Sequence, residues 1–248
     1  MQIFLLRVLA KINFRTGMAF GALLGRVLCL LLPARRHVVE VNLKHCFPDL
    51  DQPALKKKSR KVFEENGRGV VETAWAWYAP RSRLLSRVTY NDIDVVQERL
   101  KAQAVLLCCP HVSMLDTCAP ILSEKFGKFV VTYRPHKKSW LEKEIVARRS
   151  GYCELINVRD IRKIANRLRE PGTLVWFAPD QDMGENGTVA ANFFGKPAST
   201  VTTPSRLAAM SNCAVATMYL YRNDLGYYAG FEMMPDDFPS GNTVVDAQ

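Results

Sequence analysis

Residues 104–116 read AVLLCCPHVSMLD. The six apolar residues 104–109 stop at Pro110, and His111, Ser113 and Asp116 follow at once. A run this short, built of Val, Leu and Cys, reads as a strand buried on both faces. Pro110 biases the backbone after it toward a loop. Further short apolar runs recur at 129–133, 154–158, 173–178, 214–222 and 227–234, and helical patterns at 113–126, 140–149, 160–169 and 204–211 separate most of them. Such alternation predicts an α/β fold with a mostly parallel central sheet flanked by helices. The last two runs are joined by Asn223-Asp224-Leu225-Gly226, a hairpin signal, so they are expected to form an antiparallel pair at one side of the sheet.

Composition narrows the partners. With 248 residues, 48% hydrophobic and 23% charged, the chain fits neither a disordered protein nor a many-spanning membrane protein. Its formal charge of +10 favours anionic partners: phospholipid headgroups, nucleic acid or an acidic carrier protein. The charge sits toward the front, since residues 1–60 carry 11 Lys/Arg against three Asp/Glu while residues 171–248 carry three against eight. Lys and Arg are not interleaved with aromatics in a nucleic-acid recognition motif, so nucleic acid is set aside. Seven cysteines without a CxxC pair, mostly inside apolar runs, read as reduced thiols and not as a metal centre.

Residues 3–32 are strongly apolar but contain Arg7, Lys11, Arg15 and Arg26. On one continuous helix these four fall within roughly 100° of arc, a basic stripe on a hydrophobic rod. The longest uncharged window, 16–25, is only ten residues, whereas a span needs about 20 mostly apolar ones. The better expectation is a helix in the membrane interface, facing anionic lipid. Gly17, Gly21 and Gly25 give it a smooth face for a second helix. The apolar run ends in Leu32-Pro33 and Arg35-Arg36, not in a small-residue cleavage site, so this front is expected to stay attached. Residues 37–80 read as helical, with Val62, Phe63, Val70, Val71 and Trp75 as the apolar stripe and Pro80 as the stop. The expected division is a membrane-associated helix over 1–33 and an α/β domain over 34–248.

In open α/β sheets ligands bind outside the carboxyl ends of the strands. That rule selects His111 to Asp116 after the first run, Arg134 after the second, and Asp180-Gln181-Asp182 after the run at 173–178. His111 and Asp116 are about 140° apart on an ideal helix, so they pair only if His111 precedes the helix. An imidazole held by a carboxylate is a base suited to take a proton from an alcohol attacking a carbonyl, which points to acyl transfer. No GxSxG elbow occurs, and Cys108 and Cys109 read as strand residues. Direct attack by a substrate hydroxyl is therefore favoured over a covalent enzyme intermediate. Arg134 and Arg149 are either solvated charges or guanidinium groups for a phosphate or oxyanion. Asp182 is equally a turn residue, while Asp180, close behind a buried run, is the stronger site candidate.

His111-x-x-x-x-Asp116, Tyr133-Arg134-Pro135, Ala178-Pro179-Asp180-Gln181-Asp182-x-Gly184, Asn192-Phe193-Phe194-Gly195 and Thr202 to Ala208 together resemble the late acyltransferases of bacterial lipid A biosynthesis. The resemblance also takes in 41–48 and 77–80. It implies transfer of a fatty acyl chain from acyl carrier protein to a hydroxyl of a lipid A precursor glycolipid, at the cytoplasmic face of the bacterial inner membrane, with no metal or cofactor. His111 matches the family's general base, Asp116 its acidic partner and Asp180 its conserved acid. Arg149, or its neighbour Arg148, matches a functional arginine; Arg134, Gln181 and Asp182 fall among the substrate or oxyanion contacts. Many relatives have Asn before the His and Glu as its partner, where this chain has Pro110 and Asp116. Relatives also continue past Asp246, so a C-terminal family segment is expected to be missing here. Two other readings compete. One is a glycerol-phosphate or lysophospholipid acyltransferase, whose Phe-Pro-Glu-Gly-Thr block is absent; the other is a non-catalytic basic membrane-binding module, which has no need of His111.

Overall fold

Asn13 breaks the apolar front into two helices. The computed structural model, which describes residues 2–181 and 187–247, ends α1 (Gln2–Leu9) before it and starts α2 (Phe14–Leu31) after it. The Asn13 side chain accepts the Thr16 backbone N–H at 2.9 Å, an N-cap that satisfies one of the open donors of α2. The expected single rod is thus corrected: Arg7 and Lys11 precede the break, and their angular relation to Arg15 and Arg26 is not that of one helix. Pro33 opens α3 (Pro33–Cys46), and Asp51 caps α4 (Gln52–Tyr78) through the Ala54 N–H at 2.7 Å. The short α5 (Arg81–Leu85) follows Pro80.

These helices form the first of two compact units, Met1–Leu84 with Val112–Cys118 and Asn192–Lys196. Gly17, Gly21 and Gly25 do what their spacing predicts, bringing α2 antiparallel onto α4. Gly17 lies under Trp75 and Val71, Gly21 against the Arg68 backbone, and Gly25 against the Phe63 carbonyl. Gly67 of α4 meets Gly21 and Gly25 from the other side. Phe14 stacks on Trp75 with ring centroids 5.7 Å apart. The face of α2 turned away keeps Phe20, Leu23, Val27, Leu30 and Leu31 exposed. By length and composition α2 is apolar enough for a membrane span, with a mean hydropathy of 1.4 over 18 residues. Core helices and signal sequences pass that test as well.

The second unit, Leu85–His111 with Ala119–Ala191 and Pro197–Gln248, holds the sheet. In chain order the elements after α5 are β1 (Val88–Asn91), α6 (Ile93–Ala102), β2 (Val105–Cys108), α7 (Cys118–Phe126), β3 (Phe129–Tyr133), α8 (Ser139–Arg149), β4 (Cys153–Asn157), α9 (Ile161–Arg167), β5 (Leu174–Phe177), β6 (Thr188–Phe193), β7 (Lys196–Val201), α10 (Thr203–Ser211), β8 (Ala214–Arg222) and β9 (Tyr227–Met233). Seven strands lie in the order β1-β9-β8-β2-β5-β3-β4, and the neighbours are parallel except for β8–β9. The mixed α/β class expected from the apolar runs is the one observed. Val105, Leu106 and Leu107 are sealed on both faces, as parallel strands covered by helices must be. Leu106, Val130, Ile156 and Val175 join Ile164 and Leu168 of the α9 segment and Leu207 of α10 in one apolar cluster.

Two strand readings need amendment. The β8–β9 hairpin closes through the Asn223 N–H to the Gly226 carbonyl at 2.9 Å, but it is not the sheet edge, because β1 pairs beyond β9. The β6–β7 hairpin went unread. Its two-residue turn is Phe194-Gly195, both at positive φ, as a type I′ turn requires. Phe stands where Asn or Asp would have signalled it.

A Cβ on Gly25 would overlap the Phe63 carbonyl oxygen, so Gly25→Ala is expected to destabilise the helical unit by about 1–3 kcal/mol in urea unfolding. Gly151, which meets nothing within 4 Å, should tolerate Ala to within about 0.5 kcal/mol.

Candidate active site

Register decides which residues meet at the carboxyl edge of the sheet. β2 and β5 run parallel with Cys108 opposite Phe177, and the last ladder bond runs from the Cys109 N–H to the Phe177 carbonyl at 3.0 Å. Each strand then leaves through one residue and a proline: Cys109-Pro110-His111 on one, Ala178-Pro179-Asp180 on the other. Neither proline has an N–H to continue the ladder. His111 and Asp180 stand at the same offset past paired residues, and equal offsets on parallel neighbours bring them side by side.

They are joined twice. The His111 backbone N–H donates to Asp180 Oδ2 at 2.7 Å, and ring Nδ1 lies 2.5 Å from Oδ1. A carboxylate oxygen accepts, so Nδ1 is the donor of this contact and Nε2 is the ring nitrogen left for another partner. The side chains are 35% and 38% exposed. A base of fixed tautomer with an accessible lone pair can remove a proton from a hydroxyl.

The structure thus joins Asp180 to Nδ1, a pairing the sequence reading did not name; that reading expected Asp116 as the acidic partner of the imidazole. Asp116 lies in the 3₁₀ turn Leu115–Thr117, within the segment Val112–Cys118 that groups with the helices. That segment is seated where Gly69 of α4 lets the Ser113 carbonyl approach. Asp182 lies outside the described residues. Gln181 is exposed and lines a mostly apolar cavity of about 270 Å³ together with Val158, Ile161, Phe177, Pro179 and Val201, with Arg159 and Thr203 also on its wall. Pro179 and Gln181 flank Asp180, so the cavity borders the clasp. Among the described residues, no group of three or more His, Cys, Asp or Glu could hold a metal ion.

The arginines separate. Register through β3 and β5, with Val131 opposite Trp176, puts Arg134 level with Pro179, and it is exposed. Arg148 pairs with Glu144 at 2.6 Å. Arg149, at the end of α8, acts on the Tyr133 phenol: burial and a hydrogen bond to Glu142 push that phenol up, and the Arg149 charge opposes them. Glu142 is a residue sequence reasoning missed. It accepts the Tyr133 hydroxyl at 3.1 Å and the His136 N–H at 2.7 Å, tying down the loop after β3. An acid in the first turn of a helix carries no sequence signal for that task.

Cys108 is no nucleophile. Burial, with Cys213 and Cys109 nearby, pushes its thiol up to about 12, far from the thiolate that attack requires.

The chain matches the model of the bacterial lipid A biosynthesis acyltransferase family over residues 1–242. It is 26% identical over 216 residues to the lipid A biosynthesis palmitoleoyltransferase of Escherichia coli (strain K12), covering 86% of this chain and 69% of that protein. Against the lauroyltransferase of the same organism it is 26% identical over 225 residues, 88% and 71% of the two chains. A lipid A biosynthesis acyltransferase of Haemophilus influenzae is 26% identical over 174 residues, 69% and 54%. With both the clasp at the sheet edge and a match over nearly its whole length, the chain belongs to the bacterial lipid A biosynthesis acyltransferase family.

Proposed function

We propose that this acyltransferase moves a fatty acyl chain from an acyl carrier protein thioester to a hydroxyl of a phosphorylated lipid A precursor, with His111 as general base. Nε2 takes the hydroxyl proton as the oxygen attacks the thioester carbon. The tetrahedral oxyanion collapses, the carbon–sulfur bond breaks, and the leaving thiolate takes the proton from the imidazolium. Asp180 positions the ring and stabilises its charged form. Arg149 and Arg134 are the guanidinium groups for the oxyanion or a substrate phosphate, with Gln181 and Asp182 as further substrate contacts. Asp116 is a second acid for the reaction through the turn after His111. The observation that carries this reading is the pair of hydrogen bonds between His111 and the Asp180 carboxylate. The apolar cavity bordered by Pro179 and Gln181 suits an acyl tail.

The same reading puts the enzyme at the cytoplasmic face of the inner membrane. Support comes from the exposed apolar face of α2 and from Phe4, Leu5 and Val8 of α1, all left open to solvent. The basic front and seven free thiols agree with an anionic surface in a reducing compartment.

His111→Ala should lower kcat for acyl transfer by about 10²–10⁴-fold with an unchanged melting temperature, followed by mass spectrometry of the acylated glycolipid. A variant within twofold of wild type would overturn the base assignment. Asp180→Asn should lower kcat by about 10²-fold or more with KM within about twofold of wild type, whereas a merely structural role would lower the melting temperature and leave kcat of the folded fraction in place. Deleting 1–33 would also uncover the α4 face that packs on α2. The cleaner membrane test is Leu23→Ser with Leu30→Ser and Leu31→Ser, which should release the folded protein from vesicles by about 100-fold or more; continued pelleting would place the contact elsewhere.

A further inference from the structure

We propose that the cleft between α2, α3 and α4 binds the phosphomonoester head of a membrane lipid. It encloses about 530 Å³, within the size range of ligand pockets, about 300–1,000 Å³. Four cations from three helices face it: Arg26 of α2, Arg36 of α3, and Lys56 and Arg60 of α4. The acids do not balance them. Glu64 takes Arg26 at 2.6 Å, and Glu40 reaches Arg36 only at 3.8 Å. Among the described residues Lys56 and Arg60 have no acidic partner.

Packing, not chance, keeps these charges together. Gly25 brings α2 into backbone contact with Phe63 of α4, which fixes Arg26 beside that crossing and Arg60 within one turn of it. Like charges gathered round one cavity repel, and an anion seated among them turns that repulsion into attraction. A phosphomonoester carries about −1.5 to −2 at neutral pH, matching the two unpaired cations, and the Arg60 fork can hold two of its oxygens.

Leu30 makes the ligand a lipid. It lines the cleft and is 74% exposed, and Leu31 beside it is 68% exposed. A free phosphate gains nothing from them, whereas a lipid places its chains against this apolar edge while its head enters the cleft. The inference goes beyond acyl transfer and rests on the membrane reading only for the source of the ligand.

The test uses the full chain and three probes: a water-soluble short-chain phosphatidic acid, inorganic phosphate, and vesicles of phosphatidylcholine with or without phosphatidic acid. By calorimetry the short-chain lipid should bind about 10-fold tighter than inorganic phosphate. Lys56→Ala with Arg60→Ala should weaken that lipid by about 10–100-fold and abolish the preference for phosphatidic acid vesicles, with binding to neutral vesicles unchanged. Lys57→Ala with Lys61→Ala, an equal loss of charge on the same helix outside the cleft lining, should leave lipid binding within about twofold. Equal weakening by both pairs would overturn the cleft in favour of general surface charge. Equal affinity for inorganic phosphate would overturn the lipid as ligand. Binding of the short-chain lipid that needs Lys56 and Arg60, in a protein that ignores all vesicles, would support the cleft and overturn the membrane reading.

Discussion

The chemistry proposed for this protein depends on the register between two parallel strands. Cys108 opposite Phe177 puts a histidine and an aspartate, each behind a proline, at equal distance beyond the last ladder bond. Shifting β2 against β5 would carry one member of the pair past the other and leave the imidazole without its hold. The register is itself fixed by burial, since Leu106, Val175 and Phe177 belong to one apolar cluster with α9 and α10. Apolar packing on the sheet faces therefore sets a hydrogen bond at the sheet edge.

The helical unit obeys a different constraint. Three glycines on one side of α2 let two backbones touch, a contact driven by close packing and needing no large side chain. Small residues on the packed side leave the large ones, Phe20, Leu23, Val27, Leu30 and Leu31, on the exposed side. The same crossing gathers Arg26 and Arg60 on neighbouring helices. An apolar face and a basic cleft are thus two consequences of one helix contact, and both suit an amphiphilic partner.

Much of the sheet was legible because its strands are short, apolar and closed by Pro, Gly or Asn. Local patterns of that kind survive folding: the runs at 104–109, 129–133 and 173–178 became β2, β3 and β5. The β6–β7 hairpin was not legible, because its Phe194-Gly195 turn uses a residue that rarely takes positive φ. The break at Asn13 was hidden by the hydrophobicity on both sides of it.

His111 and Asp180 were each visible as polar residues closing a buried run, and their matching Pro110 and Pro179 were in plain view. Their partnership was not, because 69 residues separate them and only strand pairing brings them together. The amino-acid sequence by itself determined the α/β class, the glycine face of α2 and the place of His111 behind a buried run, since periodicity and residue chemistry are local properties. Tertiary structure decided that Asp180 lies on the His111 ring, that Glu142 ties down the loop after β3 and which cations share a cleft. Each of those is a distance between chain segments, and distances of that kind are set by register and packing.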